Sequence, residues 1–120
     1  MINLATYLIA ALIGITEPEG YVLDKGSIQF VYASEQAGLE VYVCGNFMGW
    51  KKADPNWRTR YDEKAGKYTL WKSVSDVKEQ GRSFYEFTFV VNGEMIDANK
   101  KASNALHCVG HGYRYVIQWE

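Results

Sequence analysis

Two groups of side chains in this sequence have chemistry to offer, and the first is a cysteine between two histidines. The stretch 107–111, His-Cys-Val-Gly-His, holds both histidines and one of the two cysteines. A Cys/His pair can provide a nucleophile with its base, and two histidines can bind zinc. No third metal ligand lies nearby in sequence, however, and on a strand His107 and Cys108 would point to opposite faces. Because Gly110 and Gly112 indicate a loop, we expect neither catalysis nor a metal site here.

The carboxylates do not suggest an enzyme either. Those that stand out lie at predicted turns, where carboxylates cap loops or face water: Asp54, Asp62, Glu63 and Asp97. A glycosidase-type carboxylate pair requires a cleft between the two groups. There is no glycine-rich phosphate-binding loop. We therefore expect a protein without catalytic activity, metal or cofactor.

The second group is the aromatic side chains, which make up 15% of the 120 residues. A pyranose ring has a flat face of C–H groups that stacks on an aromatic ring, and its hydroxyls pair with planar polar groups. Trp50 and Trp71 are the candidate platforms, and strand alternation points Trp71 away from the core. Trp50 has an alternative role as a loop anchor at the end of the fold. For Trp71 we favour contact with a protein partner or the N-terminal segment over contact with sugar.

Composition limits the function classes further. Thirteen basic and fourteen acidic residues give a net charge of −1, without the basic excess of a nucleic-acid binder. The length corresponds to one domain, and 48% hydrophobic residues are typical of a globular chain. Cys44 and Cys108 are too few for a disulfide scaffold, and the sequence leaves open whether they pair. The lack of a clear export signal favours the cytoplasm, where both cysteines would remain free thiols.

The first sixteen residues contain no charged side chain. Residues 4–15 are apolar except for Thr6, and leucine and isoleucine recur at helical spacing, which predicts a helix that needs burial. Twelve residues are fewer than the roughly 20 that cross a bilayer. A degenerate secretory signal or a membrane anchor is the alternative. Among the ways to bury the segment we favour self-association, as a symmetric homodimer, over packing on the same chain or on a partner protein.

The remainder of the chain reads as strands separated by turns. We predict a packing or association segment over 1–16, a linker over 17–25 and a β-sandwich over 26–120. Asn92-Gly93 is a strong hairpin signal, and Ala37-Gly38 suits a hairpin between the first two strands. The predicted strands are Ile28–Tyr32, Leu39–Cys44, Trp57–Tyr61, Lys67–Lys72, Ser83–Val91, a short return from Met95, and Gly112–Trp119. This pattern predicts an all-β, immunoglobulin-like antiparallel β-sandwich. Its buried side chains should include Val41, Val43, Tyr85, Phe87 and Phe89.

Three stretches in this order resemble a known family. Residues 41–50, Val-Tyr-Val-Cys-Gly-Asn-Phe-Met-Gly-Trp, are similar to the V-x-G-x-F-N-x-W motif of family-48 carbohydrate-binding modules. Residues 85–93 with Asp97 resemble the family's Y-x-F-x-V-D/N-G…D pattern, and residues 115–118 resemble its last strand. The family includes the glycogen-binding domain of the AMP-activated protein kinase β subunit and the N-terminal domains of branching and debranching enzymes. The resemblance covers roughly residues 26–120.

The resemblance implies a non-catalytic domain that binds an α-glucan such as glycogen or starch. The motif tryptophan corresponds to Trp50, and the polar position on the last strand falls near Arg114. Where binders carry a lysine and a second tryptophan, this sequence has Thr88 and Met95. Trp71 is a possible replacement platform, and Met95 could supply further apolar contact to the sugar. Thr88, Arg114 and Glu86 could supply hydrogen bonds. The alternative is an accessory or protein-interaction domain that has lost glycan binding.

Overall fold

The computed structural model describes residues 20–110 and 112–119, and these form two antiparallel sheets packed face to face. Sheet I has the strand order β1-β2-β5-β4, and sheet II has the order β3-β6-β9-β8, with β7 also paired to β6. The strands are β1 Tyr21–Asp24, β2 Ser27–Ala33, β3 Val41–Gly45, β4 Arg60–Asp62, β5 Lys67–Ser73, β6 Glu86–Val91, β7 Glu94–Met95, β8 Ala105–Cys108 and β9 Gly112–Val116. Short helical turns occupy Asn46–Met48, Pro55–Trp57 and, as α1, Val74–Val77. The predicted all-β sandwich is confirmed.

Aromatic side chains fill the space between the two sheets. Phe30 of sheet I packs edge-on against Phe87 of sheet II, with 5.0 Å between ring centroids, and Tyr32 lies 5.4 Å from Phe89. Alternation along β2 and β6 places these rings inward. The five side chains predicted to be buried are all no more than 2% exposed. The aromatic surplus is therefore mostly core, which leaves few rings for a binding surface.

The Asn92-Gly93 hairpin is confirmed, because both residues have positive φ, 51° and 86°, between β6 and β7. The hairpin predicted at Ala37-Gly38 is wrong. β2 lies in sheet I and β3 in sheet II, so the chain crosses between the sheets there instead of pairing the two strands. Local turn residues are the same for a reversal within a sheet and a crossing between sheets, so the sequence could not distinguish them.

Other boundaries also differ from the prediction, and three of the differences change the fold. Residues 21–24, predicted within the linker, form β1 because Tyr21 and Leu23 turn toward the core. Asp54 caps a helical turn ending at Trp57, and this delays β4 to Arg60. His107 and Cys108, predicted to lie in a loop because of the following glycines, belong to β8, which pairs with β9. The helix predicted in residues 1–16 lies outside the described residues.

No helix within the described residues has the length and hydropathy that crossing a bilayer requires.

Candidate functional site

A cleft of about 370 Å³ lies on the outer face of sheet II. Five residues line it: Trp50, Glu86, Met95, Cys108 and Arg114. Trp50, Met95 and Arg114 are predicted from the sequence to share one site, and the fold brings these three together. Glu86 is a further candidate from the sequence, whereas Cys108 is predicted to belong to a separate loop. The size of the cleft is within the range of small-ligand sites.

Strand register explains why these side chains share one face. Glu86, Thr88 and Val90 alternate with the core residues of β6 and so point outward. Residues directly opposite each other in neighbouring strands lie on the same face, which adds Met95 opposite Val90. Val116 lies opposite Glu86 and Arg114 is two residues earlier on β9, so Arg114 points outward as well.

The loop after β3 places Trp50 at the cleft. Phe47 anchors this loop in the core, with its ring 5.4 Å from that of Trp57. The Asn46 side chain ties it to the start of β6, since Nδ2 donates to the Phe84 carbonyl at 3.0 Å and Oδ1 accepts from the Glu86 amide at 3.1 Å. Trp50 then donates its backbone N–H to the Gly45 carbonyl at 3.0 Å.

Trp50 itself has a left-handed backbone, with φ of 57°. This conformation costs a bulky side chain about 1–3 kcal/mol, and such strain is concentrated at functional sites. The surrounding contacts hold the residue there with its ring only partly exposed. The fold therefore maintains an unfavourable backbone conformation that presents an indole ring to the cleft.

Arg114 is a buried cation on one side of the cleft, 6% exposed. Its guanidinium lies over the Trp50 ring, 5.9 Å from the centroid, within cation–π range. Nη1 donates to the Tyr113 carbonyl at 2.8 Å and lies 3.8 Å from Asp97 Oδ1. Nη2 donates to Met95 Sδ at 3.2 Å. A thioether sulfur is a weak acceptor, so a ligand oxygen would be a stronger partner for that N–H.

Glu86 and Cys108 form the polar counterpart of Arg114. The Cys108 thiol donates to Glu86 Oε1 at 3.6 Å. Burial raises the pKa of the Cys108 thiol, and the neighbouring Glu86 carboxylate raises it further, whereas Arg114 lowers it. The thiol therefore remains protonated near neutral pH, as a weak donor, and Glu86 keeps free lone pairs for a ligand hydroxyl.

Thr88 shares this face but does not line the cleft. It is fully buried, and its hydroxyl donates to the Ile96 carbonyl at 2.6 Å. Cys44, directly opposite Thr88, is also fully buried. Burial raises the pKa of the Cys44 thiol, partly offset by Arg114 and Lys52. Both cysteines are free thiols. Thr88 and Cys44 therefore support the site without offering a group to a ligand.

Trp71 lies on the opposite side of the molecule. It belongs to β5 in sheet I, where it pairs with Gln29, and it is 52% exposed on the outer face of that sheet. Alternation predicted its outward direction correctly. Only the assignment of β5 to sheet I shows that Trp71 and Trp50 cannot share one binding surface.

Two residues of the cleft, Glu86 and Cys108, are not among the main candidates that the sequence predicts for a binding site. Glu86 follows from alternation on β6, which already put it on the same face as Thr88. Cys108 could be placed at the cleft only once β8 was known, and the glycines that follow it indicate a loop.

Within residues 20–110 and 112–119, no three His, Cys, Asp or Glu side chains are grouped so that they could hold a metal ion. The arrangement is a ring, a cation and a carboxylate around an apolar cleft, which suits ligand binding.

No protein-family model matches the chain, and no curated protein sequence matches it either.

Proposed function

We propose that this domain is a non-catalytic carbohydrate-binding module that takes an α-glucan in the cleft on the outer face of sheet II. One observation carries the proposal. Trp50, Met95 and Arg114, the residues that the family-48 resemblance assigns to a glucan surface, line a single cleft. These residues come from a loop and two different strands, distant in sequence.

The chemistry of the lining supports a sugar as the ligand. A glucose unit presents a C–H face and, at its edge, neighbouring hydroxyls that each donate and accept. The Trp50 ring would stack on the C–H face. Arg114 has only N–H donors, and Glu86 has only lone pairs when ionised, so together they match the accepting and donating sides of a diol. Met95 supplies apolar contact that adapts to shape.

The test is affinity electrophoresis of the full chain in gels containing glycogen, amylopectin or a β-glucan. We expect retardation by the two α-glucans and none by the β-glucan. Trp50→Ala should abolish the retardation without unfolding the domain, because it removes the stacking ring. Trp71→Ala is the matched control, since it removes the same side chain from the opposite face and should migrate like the parent.

The results of these gels distinguish a carbohydrate-binding domain from an accessory domain, and they test the role of Trp50. Unchanged retardation of Trp50→Ala would remove Trp50 from the binding surface. If no glucan retards the parent chain, the carbohydrate proposal fails and the accessory-domain function takes its place.

A specific observation favours that second function, a protein-interaction domain that no longer binds glycan. Thr88 and Met95, which stand where the family has a lysine and a second tryptophan, already have hydrogen-bond partners within the domain. Thr88 bonds the Ile96 carbonyl, and Met95 accepts from Arg114. In this case Trp50 and Arg114 would be structural, each covering the other.

A further inference from the structure

The outer face of sheet I carries an exposed apolar strip that the proposed glucan site does not use. Val22, Gln29 and Trp71 lie in one row across β1, β2 and β5, because Gln29 is directly opposite each of the other two. Val22 is 47% exposed and Trp71 is 52% exposed. Val31 and Thr69, which pair with each other in the same strands, continue this uncharged face. Val31 is only 5% exposed, so Val22 and Trp71 supply the exposed apolar area. We call these five residues the sheet I strip.

Charged side chains occur only at the margins of this strip. Asp24 flanks it on β1. At the other margin lie Arg60, opposite Thr69, and the opposed pair Asp62 and Lys67 of β4 and β5. A surface with two large exposed apolar groups and an uncharged centre is typical of a covered face. Its natural occupant would be apolar and uncharged as well.

The chain itself contains a segment of this character, and it precedes β1 in the sequence. Residues 1–16 carry no charge, and they are joined through residues 17–20 to β1, an edge strand of the same sheet. Four residues reach at most about 14 Å. From Val22 to Trp71 the row spans two strand spacings, about 10 Å. Residues 4–15 would be about 18 Å long as a helix, so the segment can reach the strip and cover it.

We propose that residues 4–15 dock on the sheet I strip of their own chain, over Val22 and Trp71. The short connection decides between the same chain and a second copy. A flexible tether of this length gives an effective concentration in the millimolar range. A second molecule at micromolar concentration competes poorly with that. The sequence alone favoured self-association. The structure adds that β1, the first strand after the segment, belongs to the same sheet as Trp71.

Photocrosslinking of the full-length chain tests this arrangement. Trp71 is replaced by the photoreactive aromatic p-benzoylphenylalanine, which keeps a large ring on the strip. Leu106, 47% exposed on sheet II, receives the same replacement as the control of matched exposure. A protease that cuts after glutamate releases residues 1–19 as one peptide, separate from β1, because the Glu17–Pro18 bond resists cleavage and Glu19 is the next acidic residue. The sample is an equal mixture of ¹⁴N- and ¹⁵N-labelled protein.

We expect position 71 to crosslink to peptide 1–19 at least tenfold more than position 106 does. The crosslinked pairs should be wholly light or wholly heavy, because both peptides come from one molecule. Mixed light and heavy pairs would overturn the proposal in favour of a second copy on the strip. No crosslink from position 71, or an equal yield from position 106, would also overturn it.

Discussion

At the scale of single residues, the absence of one side chain is as important to the cleft as those that line it. Gly45 ends β3 where the chain turns toward Trp50, and its φ of −153° is open to any residue. The constraint is space. A Cβ at this position would lie 2.6 Å from the Glu86 carbonyl oxygen and 2.8 Å from Phe87 Cβ. Glycine is required here because the loop passes directly against β6.

Gly45→Ala should therefore destabilise the domain by about 1–3 kcal/mol, the usual cost of overpacking. The carbonyl of Glu86 cannot yield without disturbing the β3–β6 pairing, so the strain cannot be relieved by a side-chain rotation. Chemical denaturation of parent and variant measures the change. An unfolding free energy equal to that of the parent would show that the loop relaxes freely.

Cys44 makes a second residue-scale prediction, about pH. Burial raises its thiol pKa above the ordinary 9.0, so the folded chain holds this proton when the unfolded chain has released it. Stability from this group is complete below about pH 9 and is lost as pH rises toward the folded-state pKa. The parent's unfolding free energy should fall more steeply between about pH 8 and 10 than that of Cys44→Ala. Other groups titrate there too, so the difference between the two slopes is the measurement, and parallel slopes would contradict the prediction.

At the scale of elements, the loop 46–50 is held by a side chain rather than by strand pairing. The Asn46 amide bonds both the Phe84 carbonyl and the Glu86 amide, and these bonds fix the loop against the beginning of β6. Phe47 fixes its other side in the core. The position of the Trp50 ring therefore depends on a residue that does not line the cleft.

Asn46→Ala should lower stability by about 1–2 kcal/mol, since two hydrogen bonds are lost at a partly exposed site. If the cleft binds α-glucan, retardation in glycogen gels should weaken as well while Trp50 remains in place. Asn56→Ala is a matched control, because Asn56 is exposed and alanine keeps the backbone N–H that Asn56 donates to Asp54 Oδ1. Its stability and gel mobility should stay close to those of the parent.

At the scale of the whole molecule, the two faces of the sandwich differ in what they present. The outer face of sheet II carries the cleft, whereas that of sheet I carries the strip around Trp71. Ligand binding and burial of the apolar segment can therefore proceed on separate surfaces. Within residues 20–110 and 112–119, both sheets contribute buried side chains to the core between them.

A chain that begins at Glu17 should accordingly remain folded and unfold cooperatively. Light scattering on this chain and the full-length chain distinguishes docking from self-association. Docking on the same chain predicts a monomer in both cases, even at high concentration. A full-length dimer that becomes monomeric on shortening would support self-association and contradict the docking proposal. Loss of folding in the shortened chain would instead show that the segment completes the core.

The sequence by itself determined most of the strands, the Asn92-Gly93 turn and the inward aromatic face of β6. These features depend on alternation and on backbone conformations that particular residues tolerate, so they are local. Only the tertiary structure decided which strands share a sheet. It sent β2 and β3 to different sheets, separated Trp71 from Trp50 and placed Cys108 of β8 beside Glu86 of β6. Those outcomes depend on which apolar faces bury each other across long stretches of chain, and no short sequence pattern records that choice.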